Sequence, residues 1–435
     1  MFTVLKYIKI IFFKIYKIIK LILFTPLTFL IIFISFFKKI RFTSIDYVVG
    51  GTTINNKNYF LRKKNGLLTN HLDFFHINQA YKIFLLKKGI SNIFWMELLA
   101  RKFMFVDPKN KILFLIYNFL LQNIYETLVF LKIKKLILVM SHTNGDFALN
   151  QNDVKLNQQN NTYIKFSKED LFRCDSEYNR LSKIINKKSE QSLIVLYNRD
   201  GAYKKYYNPN FNMSYHDFRN SPVTDFELTI KNLSKKNRFL IRLGNITEEK
   251  LNLSEKNFFD YSKSKYITPH LDIYLIYKCK FFLGSEGGLD KIGMCLNKPM
   301  ALINVHHLDL RSPLGRETIF IPQKMFSLET NKFLTFVELL DPNSKKSKIT
   351  GLPIGLYTRS SDYKEAGIKV VNNTPEEINN LAQEMDLYLD KKLELSNDDL
   401  KLQKEFWSKF RNNFPFNKQY IISPSFLKNN QDLLA

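Results

Sequence analysis

Short apolar runs alternate with segments of helical periodicity between residues 191 and 304 of the chain. The helical segments begin with capping signals, namely Ser221-Pro222 and Thr268-Pro269. Alternating strands and helices are typical of a parallel, doubly wound α/β sheet, which binds ligands beyond the carboxyl ends of its strands. The predicted strands are residues 192–197, 238–244, 280–284 and 299–304, and the predicted helices are residues 221–236, 268–279 and 285–297.

The region before this sheet shows a less regular mixture of helical and strand-like patterns. One long buried helix is predicted over residues 111–133, followed by a strand at residues 136–140. The polar stretch 144–162, rich in Asn and Gln, predicts an exposed loop or linker. Ser167, followed by Asp170 three residues later, forms a capping box and therefore predicts the start of a helix.

The first 41 residues differ from the rest because they hold eight basic residues and no acidic one. Between Lys20 and Lys38, seventeen uncharged and mostly apolar residues would form about 25 Å of helix, slightly less than a hydrocarbon core of about 30 Å. Pro26 would kink this helix, and no signal-peptide cleavage site follows it. The segment predicts membrane attachment, and residues 21–37 either span the bilayer or lie in its interface, since both flanks are positive. A buried N-terminal hairpin is the alternative.

The composition gives the charge of the chain two explanations. The 65 Lys and Arg residues against 40 Asp and Glu make a formal net charge of +25, yet only 13 of the basic residues are Arg. Abundant Lys, Asn, Ile and Phe are typical of an AT-rich genome, which explains the charge as well as an anionic partner does. No nucleic-acid-binding motif accompanies the charge. The three cysteines are widely spaced, which argues against a disulfide framework or structural zinc and suits a reducing compartment.

Polar residues lie at or near the carboxyl ends of two of the predicted strands. Arg199 and Asp200 come directly after the first strand, and the planar guanidinium of an Arg can donate two hydrogen bonds to a phosphate. A surface ion pair is the alternative for Arg199. Arg242 lies within the second strand signal, and the sequence leaves ligand contact and a structural ion pair equally open for it.

The third strand runs into a stretch of small residues and then into a helix. Free backbone N–H groups in this geometry can hold a phosphate, and the hydroxyl of Ser285 can assist them. The carboxylate of Glu286 could accept hydrogen bonds from sugar hydroxyls. The stretch is neither a Walker loop nor a GxGxxG dinucleotide motif. Its candidate ligand-binding residues are Gly284, Ser285, Glu286, Gly287 and Gly288, with Asn304 at the end of the fourth strand.

Several further groups are weaker candidates. His142 and Asp146 follow the predicted strand 136–140 and could act as general bases, although a simple capped turn explains them as well. His306 and His307 lack a third metal ligand at suitable spacing. The others are the basic loop 311–316, which could cover an anionic ligand, and the cluster His71, Asp73 and His76.

The sequence resembles a family of bacterial glycosyltransferases associated with surface-polysaccharide synthesis. The resemblance rests on IKFSKEDL, LYNRDGAY, the block 238–305 with its GSEGG, NNTPEEINNLAQEM and ISPSFL, and it is clear from Phe166 onward. The family is similar to GT-B transferases, including fucosyltransferases in which a His-x-Arg strand end contacts the donor phosphate. Arg199 occupies the matching place. The residues before it are Leu196, Tyr197 and Asn198 and include no His, so a proton-transfer role does not carry over.

The resemblance implies a GT-B-like α/β fold with two Rossmann-like domains facing a cleft. It implies a nucleotide-sugar donor, held through Arg199, Asp200, Arg242, the turn 284–288 and Asn304, and a glycan or lipid-linked acceptor with Asp146 or His142 as base. No Asp-x-Asp is present, so neither a metal nor another cofactor is expected, and Arg residues would neutralise the diphosphate. The expected segments are membrane-associated 1–41, acceptor-side 42–185, donor-binding 186–372 and helical 373–435.

This interpretation predicts an enzyme at the bacterial cytoplasmic membrane with its catalytic domains on the cytoplasmic side. Two alternatives remain open at this point. Basic strand ends would also suit a transferase that moves a pyruvyl or phosphoryl group onto a surface glycan. A cationic membrane-surface protein without enzymatic activity would show salt-dependent membrane binding and no nucleotide affinity.

Overall fold

The computed structural model divides the chain into two compact units, Met1–Ala148 and Leu149–Ala435. The helix that begins after Ser167 was expected in the first domain from the sequence, whereas it packs against a helix of the second unit. The residues that the structure describes are 2–45, 49–77, 92–101, 106, 110–139, 156, 164–207, 214–306, 308, 317–409 and 420–435.

The first unit is built around two parallel strands. Ile40 lies opposite Leu72 and Ile45 opposite Ile77, and one long helix packs on this pair. Its elements are α1 (Phe2–Phe37), β1 (Ile40–Ile45), α2 (Val49–Lys64), β2 (Leu72–Ile77), α3 (Ile93–Ala100) and α4 (Lys111–Phe130).

Two predictions for this unit need correction. The helix predicted over 111–133 is present as α4, but it is buried on one face only, and seven of its large apolar side chains are exposed. The strand predicted from residue 136 is absent over its described residues. A short 3₁₀ turn, Lys134–Leu136, precedes a single bridge between Ile137 and Phe42. Apolar composition alone does not show which face of a helix is covered or whether a strand finds a partner.

The second unit is built on one sheet of seven parallel strands. Their spatial order is β12-β8-β7-β6-β3-β4-β5, which corresponds to the Rossmann order 3-2-1-4-5-6 with one strand added. The strands are β3 (Ser192–Tyr197), β4 (Arg238–Arg242), β5 (Phe258–Asp260), β6 (Phe281–Ser285), β7 (Met300–Val305), β8 (Thr318–Pro322) and β12 (Tyr420–Ile422).

The strand order reverses between β3 and β6, and this reversal is the topological switch point of the sheet. Every residue of β6, β7 and β8 is buried, as expected for parallel strands that helices cover on both faces. A small antiparallel sheet joins β9 (Lys324–Ser327), β10 (Lys332–Phe333) and β11 (Ile368–Val371). The predicted α/β class, the parallel sheet and the N-terminal apolar helix are confirmed.

Helices connect these strands. The predicted capping box is confirmed, because the backbone N–H of Asp170 donates to Ser167 Oγ at 3.1 Å and the backbone N–H of Ser167 donates to Asp170 Oδ2 at 2.9 Å. Ser221 is not a helix cap, since a 3₁₀ turn at Val223–Phe226 comes first. The helices are α5 (Lys168–Ile184), α6 (Ala202–Tyr207), α7 (Glu227–Ser234), α8 (Pro269–Lys278), α9 (Leu289–Cys295), α10 (Phe336–Leu340), α11 (Ser360–Glu365), α12 (Pro375–Leu389), α13 (Asn397–Ser408) and α14 (Pro424–Asn429).

Candidate functional site

The carboxyl ends of β3 and β6 lie side by side at the switch point. Tyr197 pairs with Gly284, and the backbone N–H of Arg199 donates to Ser285 Oγ at 2.9 Å. A Cβ at position 284 would overlap the Tyr197 carbonyl oxygen, and one at Gly287 would lie 2.8 Å from the Tyr197 ring. Both glycines are therefore required for packing, because only a residue without a side chain lets the two chain segments approach this closely.

Arg199 holds a buried positive charge at this edge. Its Nη1 donates to the carbonyl oxygen of His216 at 3.1 Å and to Asn220 Oδ1. Burial, with the positive charge of Arg219 next, lowers the pKa of Arg199 to about 10, so the side chain remains protonated at neutral pH. Its Nε and Nη2 make no hydrogen bond to the described part of the chain, and Arg199 forms no ion pair there.

Arg219 is a second cation at the same place, and it is absent from the candidates derived from the sequence. It ends the 3₁₀ segment Ser214–Arg219, and its Nη2 donates to the carbonyl oxygen of Glu286 at 3.3 Å. Within the described residues it pairs with no carboxylate. The only signal in the sequence is the scarcity of Arg, since this residue follows no strand and belongs to no motif.

The acidic residues of the GSEGG stretch are held by protein groups. Glu286 Oε2 accepts the backbone N–H of His306 at 3.0 Å, and Oε1 lies 3.8 Å from Lys291 Nζ. The Gly287 amide donates to Asp290 Oδ1 at 2.9 Å, so it is not free for a phosphate. Burial raises the pKa of Asp290, which also lies 2.8 Å from the Lys291 ammonium. The Gly287 amide and the Glu286 carboxylate therefore already have protein partners, and ligand binding by the GSEGG stretch stays a prediction.

Arg242 lies in a structural ion pair. It is 1% exposed, its Nη1 lies 3.0 Å from Asp260 Oδ2 on the neighbouring strand, and its Nε donates to Asn198 Oδ1 at 3.1 Å. Asp200 likewise accepts two backbone amides, from Ala202 at 3.1 Å and from Glu248 at 2.9 Å. Both side chains shape the loops at the sheet edge. The buried Arg242 Nη2 has no partner among the described residues, and donor contact stays a prediction for both side chains.

Asn304, the penultimate residue of β7, lies in the left-handed region, with φ of 51°. Its backbone N–H donates to Asn373 Oδ1 at 2.6 Å, and the Asn373 N–H donates to Asn304 Oδ1 at 2.7 Å. The buried Asn304 Nδ2 has no partner among the described residues. Gly288 is the N-cap residue of α9 and, as a glycine, has no side chain to cap it.

His306 is a buried, neutral residue behind this edge. Burial lowers its pKa to about 4, and its ring nitrogens lie 3.0 Å from Gln323 Oε1 and 2.7 Å from the Tyr363 hydroxyl. No group of three His, Cys, Asp or Glu residues suited to a metal ion occurs in the described ranges. Metal independence stays a prediction.

Asp73 in the first unit accepts hydrogen bonds from the Arg41 guanidinium at 2.7 Å and the Tyr59 hydroxyl at 2.6 Å. It therefore joins β1 to β2. His76 is buried, which lowers its pKa to about 4, and burial also lowers the pKa of His71. The remaining candidates, which are His142, Asp146, His307 and residues 311–316, lie outside the described residues.

The chain has only slight similarity to the known proteins compared with it. No protein-family model and no curated protein sequence matches the chain. A glycosyl transferase family 9 structure from Veillonella parvula aligns at 10% identity over 65% of this chain and 86% of that chain, with a TM-score of 0.36. The E. coli ADP-heptose LPS heptosyltransferase II aligns at 12% identity over 65% and 90%, with a TM-score of 0.35. Similarities this slight carry no argument about the activity of this chain.

Proposed function

We propose that the chain is a membrane-associated, metal-independent glycosyltransferase of the GT-B type. It transfers a sugar from a nucleotide-sugar donor to a glycan or lipid-linked acceptor in bacterial surface-polysaccharide synthesis, on the cytoplasmic side of the membrane. The second unit binds the donor, and the first unit supplies the acceptor side. Asp146 or His142 is the proposed base that deprotonates the acceptor hydroxyl.

One observation carries this proposal: two Arg side chains with no carboxylate partner among the described residues stand at the switch point of a Rossmann-ordered sheet. The switch point is where such sheets bind nucleotides. Arg199 keeps two donor nitrogens free of hydrogen bonds to the described chain, and Arg219 is anchored through one nitrogen only. Planar guanidinium groups suit a diphosphate, whose charge grows as the sugar departs.

In this mechanism Arg199 and Arg219 bind the diphosphate and stabilise the leaving nucleoside diphosphate. Ser285 contributes by positioning, since its Oγ accepts the Arg199 amide and fixes the end of β3 against β6. The ion pair of Arg242 with Asp260 holds the adjacent strand ends in place. These residues orient the donor and neutralise charge, and proton transfer belongs to the acceptor side.

The test is a thermal-shift panel on the full chain in detergent, with ADP, GDP, UDP, CDP and phosphoenolpyruvate as ligands. We expect one nucleoside diphosphate to raise the melting temperature selectively. Arg219→Ala should then weaken its binding by about 10- to 100-fold in calorimetry, since a hydrogen bond to a charged group contributes about 1.5–3 kcal/mol. Arg199→Ala should abolish binding.

Arg173→Ala is the matched control, because it removes the same charge from the exposed face of α5, where Arg173 pairs with Glu177 alone among the described residues, at 3.3 Å. Its affinity should equal that of the unaltered chain. Full nucleotide affinity in both the Arg199 and the Arg219 variants would refute the assignment. Stabilisation by phosphoenolpyruvate alone would instead favour pyruvyl transfer.

A further inference from the structure

In the part of the chain that the structure describes, the exposed apolar side chains are concentrated on two helices. Of the 28 large apolar side chains exposed within the described residues, 18 lie on α1 or α4. Both helices contain a 20-residue segment long and apolar enough to cross a membrane, Ile18–Phe37 and Lys111–Phe130. A soluble protein rarely exposes so much apolar surface in one region without a partner.

The inner face of α4 excludes a membrane-spanning role for this helix. Asn118 Oδ1 accepts the backbone N–H of Ile77 at 2.7 Å, which fastens α4 to the end of β2. Leu121 and Leu128 pack into the core formed with β1. A spanning α4 would carry the two-stranded sheet into hydrocarbon, where any backbone group at its edges without a protein partner could not be satisfied. Only the outer face of α4 is therefore available to lipid.

Helix α1 packs against α4. Phe24 meets Phe119 edge-on with ring centroids 5.7 Å apart, and Lys20 Nζ lies 2.9 Å from Glu126 Oε2. Further along α1, Ile31 packs against the same core as α4. These contacts tie α1 to a helix that lies on the surface of its unit, so their outer apolar faces belong to one platform.

Exposed lysines border one end of this platform. Lys135 Nζ lies 4.8 Å from the centre of the Phe36 ring, which brings the turn after α4 to the end of α1. This basic border would face anionic headgroups when the apolar faces enter the acyl boundary. Its exposed members are Lys38, Lys39, Lys132, Lys134 and Lys135.

We infer that α1 and α4 together form a two-helix platform that lies in the interface of an anionic phospholipid bilayer. The inference deepens the membrane association proposed above and rests on it. It adds α4 as a second lipid-binding element and places residues 18–37 in the plane of the interface, not across the bilayer.

The first test is vesicle flotation of the full chain after detergent removal, with vesicles of phosphatidylcholine alone or with phosphatidylglycerol. The triple variant Ile112→Ser, Ile116→Ser, Phe130→Ser should bind the anionic vesicles at least about tenfold more weakly, because these side chains are exposed and would lose their transfer into lipid. The matched control replaces three exposed apolar residues of the second unit and should bind as the unaltered chain does. Its substitutions are Phe172→Ser, Ile184→Ser and Leu328→Ser.

The second test measures depth with nitroxide labels at Phe29→Cys or Ile116→Cys, since the three native cysteines are buried. In-plane helices place both labels about 5–10 Å below the headgroups. A depth of about 15 Å for the label at position 29 would place it in the middle of a hydrocarbon core of about 30 Å. That result would mean that α1 spans the bilayer and would overturn the inference. Circular dichroism verifies that each variant is folded.

Each outcome separates the inference from the proposed membrane association. If the unaltered chain fails to float, membrane association itself fails. If it floats and the α4 variant floats equally well, the platform fails while the association stands. If the α4 variant loses self-association and keeps its lipid binding, the surface is an interface between copies of the chain, and the inference is also wrong.

Discussion

The buried ion pair between Arg242 and Asp260 allows the structural role of Arg242 to be measured. The side chains are 2% and 5% exposed, and Arg242 Nη1 lies 3.0 Å from Asp260 Oδ2. Asp260→Asn keeps the shape of the side chain and leaves the guanidinium without a negative partner. Breaking a buried pair in this way costs about 3–5 kcal/mol, because an uncompensated charge stays in the interior.

The free energy of unfolding can be read from urea titrations. The chain has two Trp residues, so Trp407 fluorescence in a Trp95→Phe background reports the second unit. With a slope of about 3 kcal/mol per molar urea, Asp260→Asn should lower the midpoint by about 1 to 1.7 M. The double variant Arg242→Met, Asp260→Asn should cost far less than the sum of the two single variants, since no buried charge remains.

Two results would refute this reasoning. A loss below about 1 kcal/mol for Asp260→Asn, or strict additivity in the double variant, would mean that the pair does not hold the strand ends together. Nucleotide affinity then separates the roles of Arg242. A stable double variant that still binds the nucleotide assigns Arg242 to structure, whereas one that loses all binding returns it to the donor site.

Two further predictions concern packing and pH. Gly284→Ala should destabilise the second unit by about 1–3 kcal/mol or more, because its Cβ would overlap the Tyr197 carbonyl oxygen. Gly201→Ala is the control: its nearest atoms are side-chain ends at 3.2 Å or more, so the free energy of unfolding should change little in the same urea assay. The pKa of His306 falls from 6.5 to about 4 on folding, so the unfolded chain binds more protons and stability should decline as pH drops from about 6.5 to about 4. A His306→Gln variant with the same decline in the second unit would contradict this.

The sequence predicted the four central strands of the parallel sheet to within two residues. Apolar runs such as residues 193–196 are buried on both faces, and this burial depends little on which strand becomes the neighbour. Local signals also predicted the caps at Ser167 and Thr268, because a helix cap involves residues only three positions apart. Whether a marginal segment becomes a strand depends, by contrast, on which neighbour it meets. The described part of the run beginning at Leu136 forms a single bridge.

What the sequence determined by itself was therefore local: strand and helix positions, caps, and the residues that end each strand. The tertiary structure decided which of those strand-end residues have protein partners and which could contact a ligand. It brought Arg199 to Ser285 and added Arg219 from a segment with no motif. It also paired Arg242 with Asp260 on a neighbouring strand, since the partner of a buried charge is set by strand order and not by spacing along the chain.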